Sequence, residues 1–289
     1  MTSVSIRKIE HSVDLIKRAE KLALKMSPEG FHLAFSGGKD SQVLYHLAKM
    51  AGVKFKAHMQ VTTIDHPELM AFVRKNYPDV ELHRPELNFY QLMEKRNMMP
   101  RNRARWCCAE LKEHAGAGQV TLVGVRAAES VRRSKRAEVE KASTDKARRR
   151  QYDEDEQEFL FGANDETLHQ CVKGKDGILI SPIFKWTDAD VWNFIRGNDI
   201  EYCRLYDEGF TRIGCIFCPM ASPKTKQKQR LRYPGFERAF KRAIQRMIDE
   251  RGFGGEFNAT ADELFDWYVS NRTMPEFFGM LRGQIKLEL

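Results

Sequence analysis

Six consecutive residues, Ser36-Gly37-Gly38-Lys39-Asp40-Ser41, constrain this chain more than any other feature. They follow a short apolar run, Phe31-His32-Leu33-Ala34-Phe35, which reads as a buried strand. They precede Gln42 to Met50, where Val43, Leu44, Leu47 and Ala48 share one helical face, and Gly52 is placed to end that helix. A strand, a glycine turn and a helix start form an anion site, because turn N–H groups and the positive end of the helix face the same ligand. Gly37 and Gly38 permit close approach of phosphate oxygens, and Lys39 adds a mobile positive charge. Ser36 and Ser41 offer hydroxyl donors, while Asp40 is suited to hold Mg²⁺ or to cap the helix. The loop is not of the Walker A type: Asp40 stands where that motif needs Ser or Thr, and Leu33 where it needs its first Gly.

The rest of the pattern continues the strand–helix alternation. Phe55 to Val61, Val80 to His83, Val120 to Val125 and Ile178 to Ile180 read as further strands, and Val4 to Lys25 and Pro67 to Asn76 as helices. The expected fold class is α/β, a doubly wound parallel sheet with a helical, basic C-terminal region. Residues 1–220 form the nucleotide-binding domain in this reading and 221–289 the helical region. Within the first domain a charged insertion near 132–170 reads as mobile, its basic run Lys146 to Arg150 meeting Asp153-Glu154-Asp155-Glu156. With 289 residues, 42% hydrophobic and 30% charged, the composition is that of a soluble globular protein. No apolar run reaches membrane-spanning length, and Met1 to Lys25 lacks the apolar core of a signal peptide, so a cytoplasmic location and no membrane partner are expected. The net charge of +8 favours polyanionic ligands or simply keeps the chain soluble.

Six cysteines are present, and in a reducing compartment their clustering points to metal or redox chemistry rather than disulfides. Cys107-Cys108 and Cys215-x-x-Cys218 are two pairs more than one hundred residues apart, and Pro219 follows the second pair. The candidate occupants are an iron–sulfur cluster and structural zinc; the remaining alternative is unpaired core cysteines. Cys203 reads as a small buried hydrophobe, and Cys171 as either that or a catalytic persulfide carrier.

Ser36 to Ser41 is the signature shared by the PP-loop ATP pyrophosphatases and the phosphosulfate reductases. Further motifs stand in order: Thr62-Thr63-Ile64-Asp65-His66-Pro67-Glu68, Arg105-Trp106-Cys107-Cys108, Gly124-Val125-Arg126, Trp186-Thr187, Leu205-Tyr206-Asp207 and Gly214-Cys215-Ile216-Phe217-Cys218-Pro219. Together, over roughly residues 30 to 220, they resemble the phosphoadenosine phosphosulfate (PAPS) reductase family. The resemblance implies an adenine nucleotide at the C-terminal edge of the sheet, with Thr63, Asp65 and Glu68 near the adenosine and Gly124 and Arg126 on ribose or phosphate. It also implies a four-iron, four-sulfur (4Fe–4S) cluster on Cys107, Cys108, Cys215 and Cys218, with zinc as the alternative. Reductases of the family carry a nucleophilic cysteine in the C-terminal tail, whereas no cysteine follows Cys218 here. The expected function is therefore ATP-dependent adenylation of an acceptor for sulfur transfer, of the nucleic-acid thiolation or phosphorothioation type. Lys39, Asp40 and Cys171 are the candidate catalytic residues, with ATP and Mg²⁺ as cofactors. The acceptor would be tRNA or DNA, held by the basic segment Lys224 to Arg246, and the sulfur donor a protein such as a cysteine desulfurase. The alternatives are an adenylylsulfate or phosphoadenylylsulfate reductase and a non-catalytic nucleotide-binding subunit of a complex.

Overall fold

The computed structural model describes residues 6–112, 116–143, 145, 147, 149–164 and 176–283. Contacts divide the chain into two compact units, each assembled from separate stretches of sequence. The first comprises Met1–Gln60, Pro67–His83 and His114–Ile213; the second comprises Val61–His66, Arg84–Glu113 and Gly214–Leu289.

The first unit is built on a seven-stranded sheet: β1 (Phe31–Ala34), β2 (Phe55–Gln60), β3 (Glu81–His83), β4 (Val120–Leu122), β5 (Val139–Ala142), β6 (Arg150–Tyr152) and β7 (Gly177–Ile180). Their order is β3-β2-β1-β4-β7-β5-β6. The first five in that order run parallel, and β5 and β6 are antiparallel additions at one edge. This is the expected α/β class. The chain leaves β1 toward β2 on one side, while β4 lies on the other, so the order reverses beside β1. In open α/β sheets that reversal opens a crevice at the carboxyl ends of the strands, and Ser36 to Ser41 sit at its mouth.

Helix α1 (Ile6–Met26) buries Leu15, Ile16, Ala19, Leu22 and Ala23, the spacing of one apolar stripe. It packs against α2 (Lys39–Ala51). Gly52 ends α2 in the left-handed region at φ 69°, where its N–H returns to the Lys49 carbonyl. Leu33, Val43, Leu44, Leu47, Leu122, Ile178 and Ile180 are buried beneath these elements.

The charged insertion is more regular than its composition suggests. Its described part holds α6 (Val131–Ser134), the β5–β6 hairpin and α7 (Glu154–Gly162). Asp153 caps α7 by accepting from the Glu156 N–H. Order here comes from the neighbouring strand: β7 presents an unpaired edge, and β5 pairs with it from Val139 opposite Ile180 to Ala142 opposite Gly177. Main-chain pairing of this kind is indifferent to side-chain charge. The charges then neutralise one another, Arg136 with Glu140 and Arg150 with Glu156.

The second unit is helical: α3 (Pro67–Asn76) and α8 (Asp188–Gly197) belong to the first, whereas α4 (Phe89–Arg96), α5 (Trp106–Leu111), α9 (Pro223–Arg232), α10 (Pro234–Arg251), α11 (Ala261–Ser270) and α12 (Met274–Leu281) make up the second. Phe89, Phe217, Phe240, Phe265, Trp267, Tyr268 and Phe278 form its core. Edge-to-face contacts link Phe217 to both Phe240 and Phe265. No described helix is long and apolar enough to cross a membrane.

One polar tie gives the stability of the first unit an expected dependence on pH. His11 on α1 lies 2.9 Å from buried Glu138, which also meets Lys185 at 3.1 Å. The hydrogen bond to Glu138 raises the His11 pKa above its ordinary 6.5. Burial alone would raise Glu138, but His11 and Lys185 bring its carboxyl below the usual range. The His11 contribution is thus complete below about 6.5 and is lost as pH rises through its raised value; the Glu138 contribution is lost as pH falls through its lowered value. His11 is partly exposed, so solvent screening holds the contribution to about 0.5 kcal/mol or less. Urea unfolding between about pH 5.5 and about pH 8.5 should show the stability advantage over His11→Asn shrinking toward alkaline pH; an advantage independent of pH contradicts the pairing.

Candidate functional site

The turn after β1 is built for close approach. Gly37 adopts φ 71°, and a Cβ there would lie 2.6 Å from Val73 Cγ2 and 2.8 Å from Leu69 Cδ1, both buried side chains of α3. Gly124, just beyond β4, packs against the start of α2, where a Cβ would meet the Asp40 carbonyl at 3.2 Å. Gly38 is the extended N-cap of α2 and has no side chain to cap the helix. One cap comes from elsewhere, and Ser41 braces the turn itself. The Lys39 N–H donates to the Tyr206 hydroxyl at 2.9 Å. The Ser41 hydroxyl donates to the Gly38 carbonyl at 2.9 Å and accepts from the Ser36 N–H at 3.1 Å.

Four charges surround this helix start. Lys39 is buried, with Nζ 3.2 Å from Asp40 Oδ2 and 3.0 Å from Asp188 Oδ1. Arg126, also buried, donates through Nε to Asp40 Oδ1 at 2.7 Å and through Nη2 to Asp188 Oδ1 at 3.0 Å. Two cations and two carboxylates therefore alternate. Partial burial would raise the Asp188 pKa, but Lys39 and Arg126 overcome it and hold the carboxyl below its usual range. Burial pushes the Tyr206 phenol up, so its hydroxyl stays protonated at neutral pH. An anion entering here meets donors already in place and exchanges with the carboxylates for Lys39 and Arg126.

The second unit gathers the cysteine pairs. Cys107 and Cys108 lie in the first turn of α5, and the loop Cys215-Ile216-Phe217-Cys218 is anchored on segment 61–66. Asp65 pairs with Cys215 in an antiparallel bridge, and the Ile216 N–H donates to the Ile64 carbonyl at 2.8 Å. Thr62 Oγ1 stands 3.5 Å from the Cys215 sulfur. Phe217 is buried at φ 54°, a conformation that bulky residues rarely adopt. It is clamped on both sides: its N–H donates to Gln229 Oε1 at 2.8 Å, and its carbonyl accepts from the Tyr268 hydroxyl at 2.7 Å. The resulting turn presents Cys215 and Cys218 together.

The hydrogen bond to Cys108, then burial, pushes the Cys107 thiol up, and Cys215 and Cys218 add to the effect. Burial raises Cys215, opposed by Lys112. Lys112 in turn is raised chiefly by Cys215; its side chain reaches water yet is ringed by protein. All four thiols thus share one neighbourhood. Among the described residues only His58, Glu81 and His83 bring three ligand atoms within 4.8 Å, so no three cysteine sulfurs are that close.

Residues 30–221 match the phosphoadenosine phosphosulfate reductase domain. The chain belongs to this family. It is 30% identical over 227 residues to an uncharacterized protein of Methanocaldococcus jannaschii, covering 75% of this chain and 48% of that one. A probable FAD synthase of Schizosaccharomyces pombe is 24% identical, with 78% of this chain and 69% of that one covered. Adenosine 5'-phosphosulfate reductase 2 of Bacillus subtilis is 36% identical over 61 residues, covering 21% of this chain and 26% of that one. The chain spans about half the length of the Methanocaldococcus jannaschii proteins it matches.

Within this family member the sequence-derived site residues fall into two groups. Ser36, Gly37, Gly38, Lys39, Asp40, Ser41, Glu68, Gly124 and Arg126 lie in the first unit; Thr63, Asp65 and the four cysteines lie in the second. Glu68 stands 4.0 Å from Arg204. Thr63 Oγ1 accepts from the Phe89 N–H at 2.9 Å, and both Asp65 oxygens accept from Thr62, at 2.7 and 2.8 Å. Cys203 is a buried core residue, while Cys171 lies outside the described residues. The segment Lys224 to Arg246 is less available to a polyanion than its sequence implies. Lys226 is 1% exposed and donates to the Tyr268 carbonyl at 3.0 Å. Arg230 pairs with Glu237 and Asp266, Lys241 with Glu237 and Asp262, and Arg246 with Glu94. Tyr233 and Phe240 are buried in the core rather than free to stack.

Sequence reasoning assigned no role to Asp188, Tyr206 or Lys112. Asp188 follows Thr187 in a helix-capping sequence, where an acidic residue is ordinary. Its only further signal is the family-like Trp186-Thr187 beside it. The site makes one prediction about stability. Gly37→Ala forces a Cβ against Leu69 and Val73 in the left-handed region and should cost about 1–3 kcal/mol, read as a lower urea midpoint. An unchanged midpoint would show that the turn is not held as described.

Proposed function

We propose that this family member uses ATP to adenylate an acceptor for sulfur transfer and carries a 4Fe–4S cluster on Cys107, Cys108, Cys215 and Cys218. The alternation of Lys39 and Arg126 with Asp40 and Asp188 around the start of α2 carries the reading. A bare anion site needs only cations and N–H groups. Two carboxylates interleaved with them suit a metal–triphosphate, since Mg²⁺ is held by one or two carboxylates together with phosphate oxygens. Asp40 and Asp188 would hold Mg²⁺, whose chemistry here is to offset phosphate charge. Lys39 and Arg126, released from the carboxylates, would bind the phosphate oxygens.

In the first step an acceptor oxygen attacks the α-phosphorus of ATP, the bond to the β-phosphate bridging oxygen breaks, and pyrophosphate leaves. Lys39 and the turn N–H groups stabilise the charge on the departing group. A sulfur nucleophile, delivered by a donor such as a cysteine desulfurase or by Cys171, then displaces AMP from the acceptor. The cluster would supply soft thiolate-bound iron suited to sulfur ligands. Similarity to a probable FAD synthase supports adenylyl chemistry, and the net charge of +8 supports a tRNA or DNA acceptor. Similarity to an adenosine 5'-phosphosulfate reductase favours the second reading, reduction of a sulfonucleotide.

Pyrophosphate release from ATP, followed anaerobically with and without tRNA or DNA, separates these readings from sulfite release with a thioredoxin-type reductant. Lys39→Ala should lower pyrophosphate release about 10²–10³-fold; turnover equal to that of the intact protein would refute the assignment. Sulfite release without pyrophosphate release would establish the reductase. The anaerobically purified protein should be brown and contain iron that is lost in Cys215→Ser, and a colourless protein with one zinc would replace the cluster by a structural ion.

A further inference from the structure

Away from the phosphate loop, one face of the sheet edge carries three histidines. In parallel pairing His58 on β2 lies opposite Glu81 on β3, and Gln60 opposite His83. Residues two apart on a strand share a face, and neighbouring strands lie about 4.8 Å apart. The register therefore brings His58, Glu81 and His83 together from two adjacent strands. His58 Nδ1 is 2.8 Å from His83 Nε2. Glu81 reaches both, with Oε2 3.7 Å from His58 Nδ1 and Oε1 3.8 Å from His83 Nε2.

We propose that His58, Glu81 and His83 form a site for a divalent transition-metal ion of the zinc class. Two imidazole nitrogens and a carboxylate oxygen are borderline ligands of the kind zinc takes, with room for a further ligand. Along their 2.8 Å contact one imidazole donates to the other, the tautomer setting which. A divalent cation would take a lone pair from each ring, the donor ring carrying its proton on its other nitrogen, so that both ligands stay neutral. Lys56 orients the third ligand: its Nζ holds Glu81 Oε2 at 2.9 Å, which leaves Oε1 for the metal.

The surroundings independently point to a ligand. A cavity of about 360 Å³ is lined by His32, His58, His83, Lys56, Gln60 and Gly116. His32 is 6% exposed, stacks on His58 at 4.3 Å between ring centroids, and has an Nε2 with no hydrogen-bond partner. A buried polar atom left unsatisfied is costly, and a water on the metal inside this cavity is a partner that would meet that demand. Every residue of the site belongs to the first unit, and none belongs to the phosphate loop.

The test is cobalt(II) titration of the full, anaerobically prepared chain. Cobalt on imidazole and carboxylate gives visible ligand-field bands without the intense near-ultraviolet band of cobalt–thiolate bonds, which separates this site from the cysteines. One equivalent should bind with the imidazole spectrum. His58→Ala and His83→Ala should each weaken it at least about tenfold, the effect of losing one ligand or its support, with Glu81→Gln smaller. Unchanged affinity in both histidine variants, or a thiolate spectrum alone, overturns the site. Should the variants fail to fold, nitrogen NMR of the intact protein decides: added zinc must shift the His58 Nδ1 and His83 Nε2 resonances, and unmoved resonances overturn the proposal.

Discussion

The first turn of an α-helix carries N–H groups that no residue of the helix can satisfy, and at the start of α2 this deficit organises everything nearby. Gly38 leaves the cap position bare, so the Tyr206 hydroxyl supplies a partial substitute by accepting from the Lys39 N–H, while the rest of the turn stays open to an anion. Gly37 and Gly124 exist as glycines because side chains there would strike α3 and the backbone of α2. The alternating set Lys39, Asp40, Arg126 and Asp188 keeps the concavity near neutral before a ligand arrives. Burying two cations without partners would cost far more than the paired arrangement. The same pairing sets a condition on any ligand: it must offer each cation at least what a carboxylate offers, which phosphate does.

The second unit solves a different problem. A C-x-x-C turn has to aim two sulfurs at one place, and here that geometry forces Phe217 into the left-handed region. Strain of this kind persists only when the surroundings over-determine it. Gln229 and the Tyr268 hydroxyl hold the Phe217 backbone from both sides, while its ring is locked between Phe240 and Phe265. Helices α9 and α11, which supply Gln229 and Tyr268, thereby act on the cysteine loop. The buried Lys226 belongs to the same support: desolvation lowers it to about 8, and its ammonium lies 4.4 Å from the Tyr268 ring centre. Its place in the basic segment is explained by core packing rather than by a nucleic-acid track.

Period and punctuation made much of the first unit legible. The run before Ser36, the β-branched Val120 to Val125 and the Gly52 stop correspond to β1, β4 and the end of α2, because those segments are buried and their periodicity reports burial directly. The β5–β6 hairpin was not legible. Its strands are short and charged, and they are ordered by the free edge of β7 rather than by any apolar pattern of their own. Asp188 was obscured in the same way, since a carboxylate in the first turn of a helix is accounted for locally by the helix itself.

By itself the sequence determined the α/β class, and it marked the glycine turn at Ser36 to Ser41 and the two cysteine pairs, Cys107-Cys108 and Cys215-x-x-Cys218, as candidate sites. Each of these marks is written in neighbouring residues. Tertiary structure alone decided that Asp188 and Arg126 close a ring of charge around Lys39 and Asp40, and that segments 61–66, 84–113 and 214–289 join into one unit around the cysteines. It also decided that His32, His58, Glu81 and His83 meet on one face of the sheet. These residues are distant in sequence and unremarkable one by one. Only the parallel register of β1, β2 and β3 brings them within reach, and that register follows from the packing of the whole sheet, which no local pattern encodes.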